Sequence, residues 1–234
     1  KIIAIWEDNN SKAFVQNTLK KNLDYFDLHV MNGNPNFLKD NNLNTIKKKD
    51  LEKIFVPNGL AYFSPNMIGK TINVKDKKID VFFSGRVGSY RSERRDTLMY
   101  LINNNVKGFI NFFEDKPNIN FNEYYDLLSS AKISINFSQH VDTHALKGRV
   151  QESMVFGAML LESANNQIEN FFVDGEDYVS FLSKEDLLEK ITYYLDNPVE
   201  RIKIATNAKN KIEKLYNPDI YWNGIFKKIG LPRI

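Results

Sequence analysis

Cysteine is absent from all 234 residues, which excludes disulfides and thiolate metal sites and fits a reducing, cytoplasmic setting. No apolar run approaches the roughly 20 residues a membrane span needs, so no transmembrane segment is expected, and no secretory signal is visible. Net charge is only +3, with acids and bases interspersed, so the chain lacks the basic footprint of a nucleic-acid binder. Two local runs, KKKD at Lys47–Asp50 and RSERRD at Arg91–Asp96, read as solvated faces. No internal repeat or low-complexity tract is present. The chain opens on Lys1 inside an apolar run, as expected of a piece whose upstream residues have been removed.

What is present is an alternation of apolar runs. Lys1–Trp6 reads as a buried strand, followed by a turn, a helix over Ser11–Asn22 and a second strand at Phe26–Met31. From Asn32 to about Asn66 the chain is polar and broken by glycine and proline, with only Lys53–Val56 strand-like. Gly69–Lys78 reads as a linker. Beyond it, strands at Ile79–Ser84, Gly108–Phe113, Lys132–Phe137, Ala158–Leu161 and Asp177–Phe181 alternate with helices at Glu93–Asn103, Asn122–Ser130 and around Val150–Val155. Ser183 with Asp186, and Asn197 followed by Pro198 and Glu200, are N-cap signatures of two more helices. This spacing predicts an α/β fold with a doubly wound parallel sheet. In such sheets ligands bind beyond the carboxyl ends of the strands.

Four loops at those ends carry unusual residue types. In Gly85–Arg91 (GRVGSYR) two glycines let backbone approach a ligand, and Arg86 and Arg91 offer forked donors to a diphosphate. The loop is neither a Walker A nor a GxGxxG sequence, and it also reads as an ordinary turn with surface arginines. In Lys147–Glu162 (KGRVQESMVFGAMLLE) a short helix is predicted from Val150, Met154 and Val155, with Glu152 in its first turn and a stop at Gly157. Lys147, Arg149 and Glu152 at one helix start combine cations and free N–H groups for phosphate with a carboxylate for hydroxyls. The plainer reading of Arg149 and Glu152 is a surface ion pair.

His140–His144 (HVDTH) offers a metal ligand pair, a base or sugar contact, or incidental loop residues. No further His or Cys lies nearby to complete a site, so no metal is expected. Asn165, Asn166 and Glu169, after an apolar strand, suit sugar hydroxyls or a capped turn.

Taken in order, IDVFFSGR at Ile79–Arg86, YYDLLSSAKISINF at Tyr124–Phe137, LKGRVQESMVFGAMLLE at Leu146–Glu162 and the segment Phe171–Ala205 resemble the donor half of GT-B glycosyltransferases. The resemblance is strongest to the CgeB-like family and runs from about Ile79 to Tyr216. It implies a GT-B fold with a Rossmann-like donor domain at 71–215, a reduced N-terminal α/β part at 1–70, and a C-terminal helix within 216–234 that packs back across the domains. It implies transfer of a sugar from a UDP- or GDP-sugar without a tightly bound cofactor or metal, to a glycan, protein or small-molecule acceptor that the sequence does not identify.

Glu152 falls where such enzymes place the glutamate that accepts from ribose hydroxyls, and Arg86 and Arg91 where a basic pair holds the diphosphate. Asn165 and Asn166 depart from a GGxxE turn ending at Glu169. His144 stands eight residues before Glu152, where retaining enzymes carry the first glutamate of E-x7-E. Asp8, at the end of the first strand, reads as a base or acceptor contact, or as a turn former. Two other classes stay open: a non-catalytic nucleotide-sugar or glycan-binding module, and a GT-B-like sugar-nucleotide epimerase.

Overall fold

The structure, a computed structural model, describes residues 1–6, 18–31, 46–55, 73–88, 92–114, 119–137, 147–164, 168–215 and 218–232. These form two compact units. One takes in the described residues of Lys1–Tyr62, His140–Lys147 and Glu213–Ile234; the other, those of Phe63–Gln139 and Gly148–Ile212. Most of the predicted helix at 11–22 lies outside the described residues, and its last turn is seen as α1 (Lys20–Asn22).

The first unit is built on a parallel sheet of β1 (Ile3–Trp6), β2 (Leu28–Met31) and β3 (Ile54–Phe55), with β2 in the centre and buried throughout. Alternation divides the side chains of β2 between two faces. Leu28 and Val30 pack on Tyr221, Ile225 and Ile229 of α8 (Pro218–Ile229), while Met31 packs with Leu19, Leu23, Ile46 and Ile54. Gly224 lets α8 pass close to β3, since a Cβ there would stand 3.3 Å from the Phe55 ring. A four-residue helix, α2 (Lys48–Leu51), occupies part of the KKKD run. Its lysines are exposed as expected, but Asp50 is buried and accompanied by Lys53 at 3.9 Å.

The second unit holds five parallel strands in the order β5-β4-β6-β7-β8: β4 (Ile79–Arg86), β5 (Gly108–Phe113), β6 (Ala131–Asn136), β7 (Met159–Ser163) and β8 (Val179–Phe181). Helices cover both faces. On one, Leu98 and Leu101 of α3 (Ser92–Asn103), Leu187, Ile191 and Tyr194 of α6 (Lys184–Asp196) and Ile204 of α7 (Pro198–Leu215) pack on Val81, Phe83, Ile133, Ile135, Met159 and Leu161. On the other, Tyr125 and Leu128 of α4 (Phe121–Ser129) and Phe156, just after α5 (Gly148–Val155), pack on Phe82. Burial on both sides explains the apolar runs Val81–Phe83 of β4 and Met159–Leu161 of β7. This is the doubly wound sheet the sequence implied.

Local signals account for the boundaries. Ser183 accepts from the Asp186 N–H at 3.1 Å while Asp186 accepts from the Leu182 N–H at 2.8 Å, so a reciprocal cap starts α6. Asn120 caps α4 by accepting from the Glu123 N–H, so the helix starts at Phe121, one residue before the predicted Asn122. Asn197 does not cap α7 with its side chain as expected; its Nδ2 donates to Tyr193 O and closes α6 instead. Gly157 ends α5 at φ +67. Its N–H bonds Met154 O and that of Ala158 bonds Ser153 O, the paired bonds of a left-handed helix stop.

At the amino end of the sheet, buried Lys77 donates to Ser129 O at 2.5 Å and Phe156 O at 2.6 Å, so one ammonium closes the ends of α4 and α5. Burial, with nearby Lys209, lowers its pKa to about 8. An unfolded lysine holds its proton to about 10.4, so between these values the unfolded chain binds more protons than the folded one. Stability therefore rises with pH across that window. Urea unfolding at pH 7 and pH 10 is expected to show wild type gaining up to about 3 kcal/mol relative to Lys77→Met; a difference that does not change with pH would contradict this.

Candidate active site

The strand order reverses at β4, whose neighbours are β5 on one side and β6 on the other, so the crevice between the carboxyl ends of β4 and β6 is the topological switch point. The β4–β6 ladder runs from Ile79↔Ala131 to Phe82↔Ser134. Two residues further in the same register, Ser84 faces Asn136, and there a side chain joins the strands. Arg149, in the first turn of α5, donates from Nη2 to Ser84 O and from Nη1 to Asn136 Oδ1 at 3.0 Å. Its guanidinium lies 4.9 Å over the Phe83 ring.

Gly85 makes room for this arrangement. A Cβ at that position would stand 2.8 Å from Arg149 Nη2 and 3.0 Å from Phe83 Cζ. The glycine therefore serves the packing of a cation against backbone. Asn136 passes the interaction on. Its Nδ2 donates at 2.8 Å to Glu162 Oε2, and Glu162 is fully buried opposite it on β7. A carboxylate in that position is costly unless compensated, and here an amide carries it to a guanidinium.

Glu152 lies on the other side of Arg149. Because α5 starts at Gly148, Glu152 sits in the second turn rather than the first as expected. Its Oε2 accepts from Tyr124 Oη of α4 at 2.7 Å. Burial raises the Tyr124 phenol well above its usual pKa; the Arg149 guanidinium opposes this, and the Glu152 carboxylate adds to it. The phenol therefore stays protonated, as a donor. Arg149 and Glu152 both act on it, so the three residues form one cluster in place of the plainer surface ion pair.

Arg86 ends β4 with an exposed side chain, its Nε donating to Glu114 O at 2.6 Å. Arg94 of α3, within the run read as a solvated face, is half-buried. It donates to Arg86 O at 3.1 Å and Phe137 O at 2.6 Å, tying the same two strand ends. That reading holds for exposed Arg95, paired with Glu114, and fails for Arg94.

Lys147 is half-buried and immediately precedes α5. Glu169 is exposed on the 3-10 turn Ile168–Asn170, and its carboxylate helps raise the pKa of the buried Tyr178 phenol. Asp8, Arg91, His140, His144, Asn165 and Asn166 lie outside the described residues. Among the described residues, no cluster of His, Cys, Asp and Glu suits a metal ion. The structure thus brings Gly85, Arg149 and Glu152 together and adds Tyr124, Asn136, Glu162 and Arg94. The signal for Asn136 and Glu162 is a polar residue at the carboxyl end of a parallel strand; Tyr124 has no such signal inside an amphipathic helix.

A double-mutant cycle checks the Gly85–Arg149 contact. Gly85→Ala is expected to cost about 1–3 kcal/mol in wild type, and clearly less in an Arg149→Met background, where the displaced guanidinium is gone. Equal costs in urea unfolding would exclude the contact.

Comparison with known proteins bears on the fold and the family. No curated protein matches the chain. Anabaena HepE in complex with UDP and glucose has a similar structure, with TM-score 0.65 and 11% identity over 97% of this chain and 71% of that one. A mutant of S. aureus TarM, in complex with fondaparinux, alpha-GlcNAc-glycerol and UDP, gives 0.63 and 13% over 97% and 50%. Sucrose-phosphate synthase from Thermosynechococcus elongatus gives 0.55 and 12% over 97% and 66%. The chain thus spans about half the length of TarM. At these identities the likeness shows the fold, which is of GT-B type. Residues 100–222, more than half of the 234, match the family model described as Glycosyl transferase-like, and the chain belongs to that family.

Proposed function

We propose that the protein transfers a glycosyl group from a nucleoside diphosphate sugar, with the donor held at the switch-point crevice by residues of the 71–215 domain. The observation that carries this reading is the preorganised cluster at the ends of β4, β6 and β7. There Tyr124 holds the Glu152 carboxylate one turn along α5 from the Arg149 guanidinium. Proteins of the same fold have been solved with UDP and with UDP-glucose.

In this reading Glu152 accepts from the ribose hydroxyls. Arg86, Arg91 and Lys147 neutralise the diphosphate as its bond to the anomeric carbon breaks, the electrostatic task a divalent ion performs elsewhere. Arg149, with two donor groups committed to Ser84 and Asn136, adds positive field and holds the crevice in shape. Asn165, Asn166 and Glu169 are assigned to the sugar. His144 is assigned to the sugar, as contact or base, and Asp8 is assigned as base or acceptor contact. CgeB-like kinship and work in a reducing, cytoplasmic compartment belong to the same proposal.

A thermal-shift panel of UDP, GDP and their sugars tests it. At about 100-fold excess over Kd a true donor stabilises by about 2.7 kcal/mol, which for a chain of this size raises the midpoint by about 5–10 °C. Glu152→Ala is expected to lose most of that shift. No shift with any nucleotide would refute the donor site, and binding without slow hydrolysis of the sugar nucleotide would reduce the protein to a binding module.

A further inference from the structure

Glu152 carries the proposed ribose contact, yet its carboxylate is not free to choose its position. Tyr124 reaches it from a different helix, 28 residues earlier in the chain, and donates to Oε2 at 2.7 Å. The tyrosine is itself fixed. Its ring meets buried Phe82 edge-on at 5.4 Å and 73°, and Tyr125 at 5.4 Å and 73°. The hydroxyl also lies within reach of Arg149, which the Asn136–Glu162 pair holds in place. The other carboxylate oxygen, Oε1, lies on the Gly148 side, 4.0 Å from where a Cβ at that residue would stand. Unrestrained glutamates on a helix sample several rotamers and must lose that freedom when they bind. Here the loss is already made in the folded chain.

We infer that Tyr124 is a positioning and specificity residue of the donor site: it holds Glu152 by Oε2 and so presents Oε1 to the vicinal hydroxyls of a ribonucleoside diphosphate. The inference rests on the donor site proposed above. A residue that merely packed would support every nucleotide alike. One that aims the carboxylate matters only where the ligand has hydroxyls to offer.

Calorimetric titration of the full chain with UDP and with 2′,3′-dideoxy-UDP separates these roles. Wild type is expected to favour UDP, and Glu152→Ala to lose the preference. Tyr124→Phe, which keeps the ring, is expected to weaken UDP about tenfold, the effect of one hydrogen bond to a charged group, and to leave the dideoxy nucleotide unchanged. Equal weakening of both nucleotides, or of neither, overturns the role of Tyr124 while the donor site stands. Equal affinity of wild type for both overturns the ribose contact and the inference with it; binding of neither UDP nor GDP overturns the donor site as well. Should Tyr124→Phe fail to fold, a crystal structure of wild type with UDP decides. The inference requires Oη to stay on Oε2 while a ribose hydroxyl meets Oε1, and a displaced Tyr124 refutes it.

Discussion

Where β4 and β6 part, beyond Phe82 and Ser134, the guanidinium of Arg149 takes over from strand-to-strand bonding. The rest of the crevice follows from that substitution. The cation needs a neighbour without a Cβ, and Gly85 provides it. It needs acceptors in a desolvated place, and Ser84 O and Asn136 supply them, with Glu162 behind the amide as the buried charge. Arg94 closes the same two strand ends from the opposite helix layer through Arg86 O and Phe137 O. Two arginines therefore close the strand ends where the strand order reverses.

The two helices that bear the cluster are fixed at both ends. Lys77 joins the carboxyl ends of α4 and α5 through Ser129 O and Phe156 O, and the Tyr124–Glu152 bond joins them near the crevice. Between these, Tyr125, Leu128 and Phe156 fill the face of the sheet on Phe82. Such a frame restrains the Glu152 carboxylate through Tyr124.

Much of this was legible in the sequence because strands covered on both faces leave long apolar runs, and glycine, asparagine and serine mark their ends. The element order of the second unit, the Gly157 stop and the Ser183 cap all came from such local signals. Gly85, Arg149 and Glu152 could be named as a group because loops at the carboxyl ends of parallel strands converge. Their partners could not. Arg149 meets Ser84 across 65 residues, Glu152 meets Tyr124 across 28 and Asn136 meets Glu162 across 26. No periodicity carries a side-chain pair over such distances. Arg94 was misread for the same reason: within RSERRD, nothing distinguishes a charge that turns inward from its exposed neighbour Arg95. Asn197 misled differently, since an asparagine between two helices can close the first as readily as open the second.

The central claim is spatial: the crevice at the ends of β4 and β6 holds a nucleoside diphosphate. The position of UDP in crystals of the chain grown with it tests this most directly. The account predicts the diphosphate beside Gly85 and Arg86 and the ribose hydroxyls on Glu152, with Arg149 still bound to Ser84 O and Asn136. Nucleotide density elsewhere on the chain, or at the crevice only after Arg149 has left the strand ends, would contradict it.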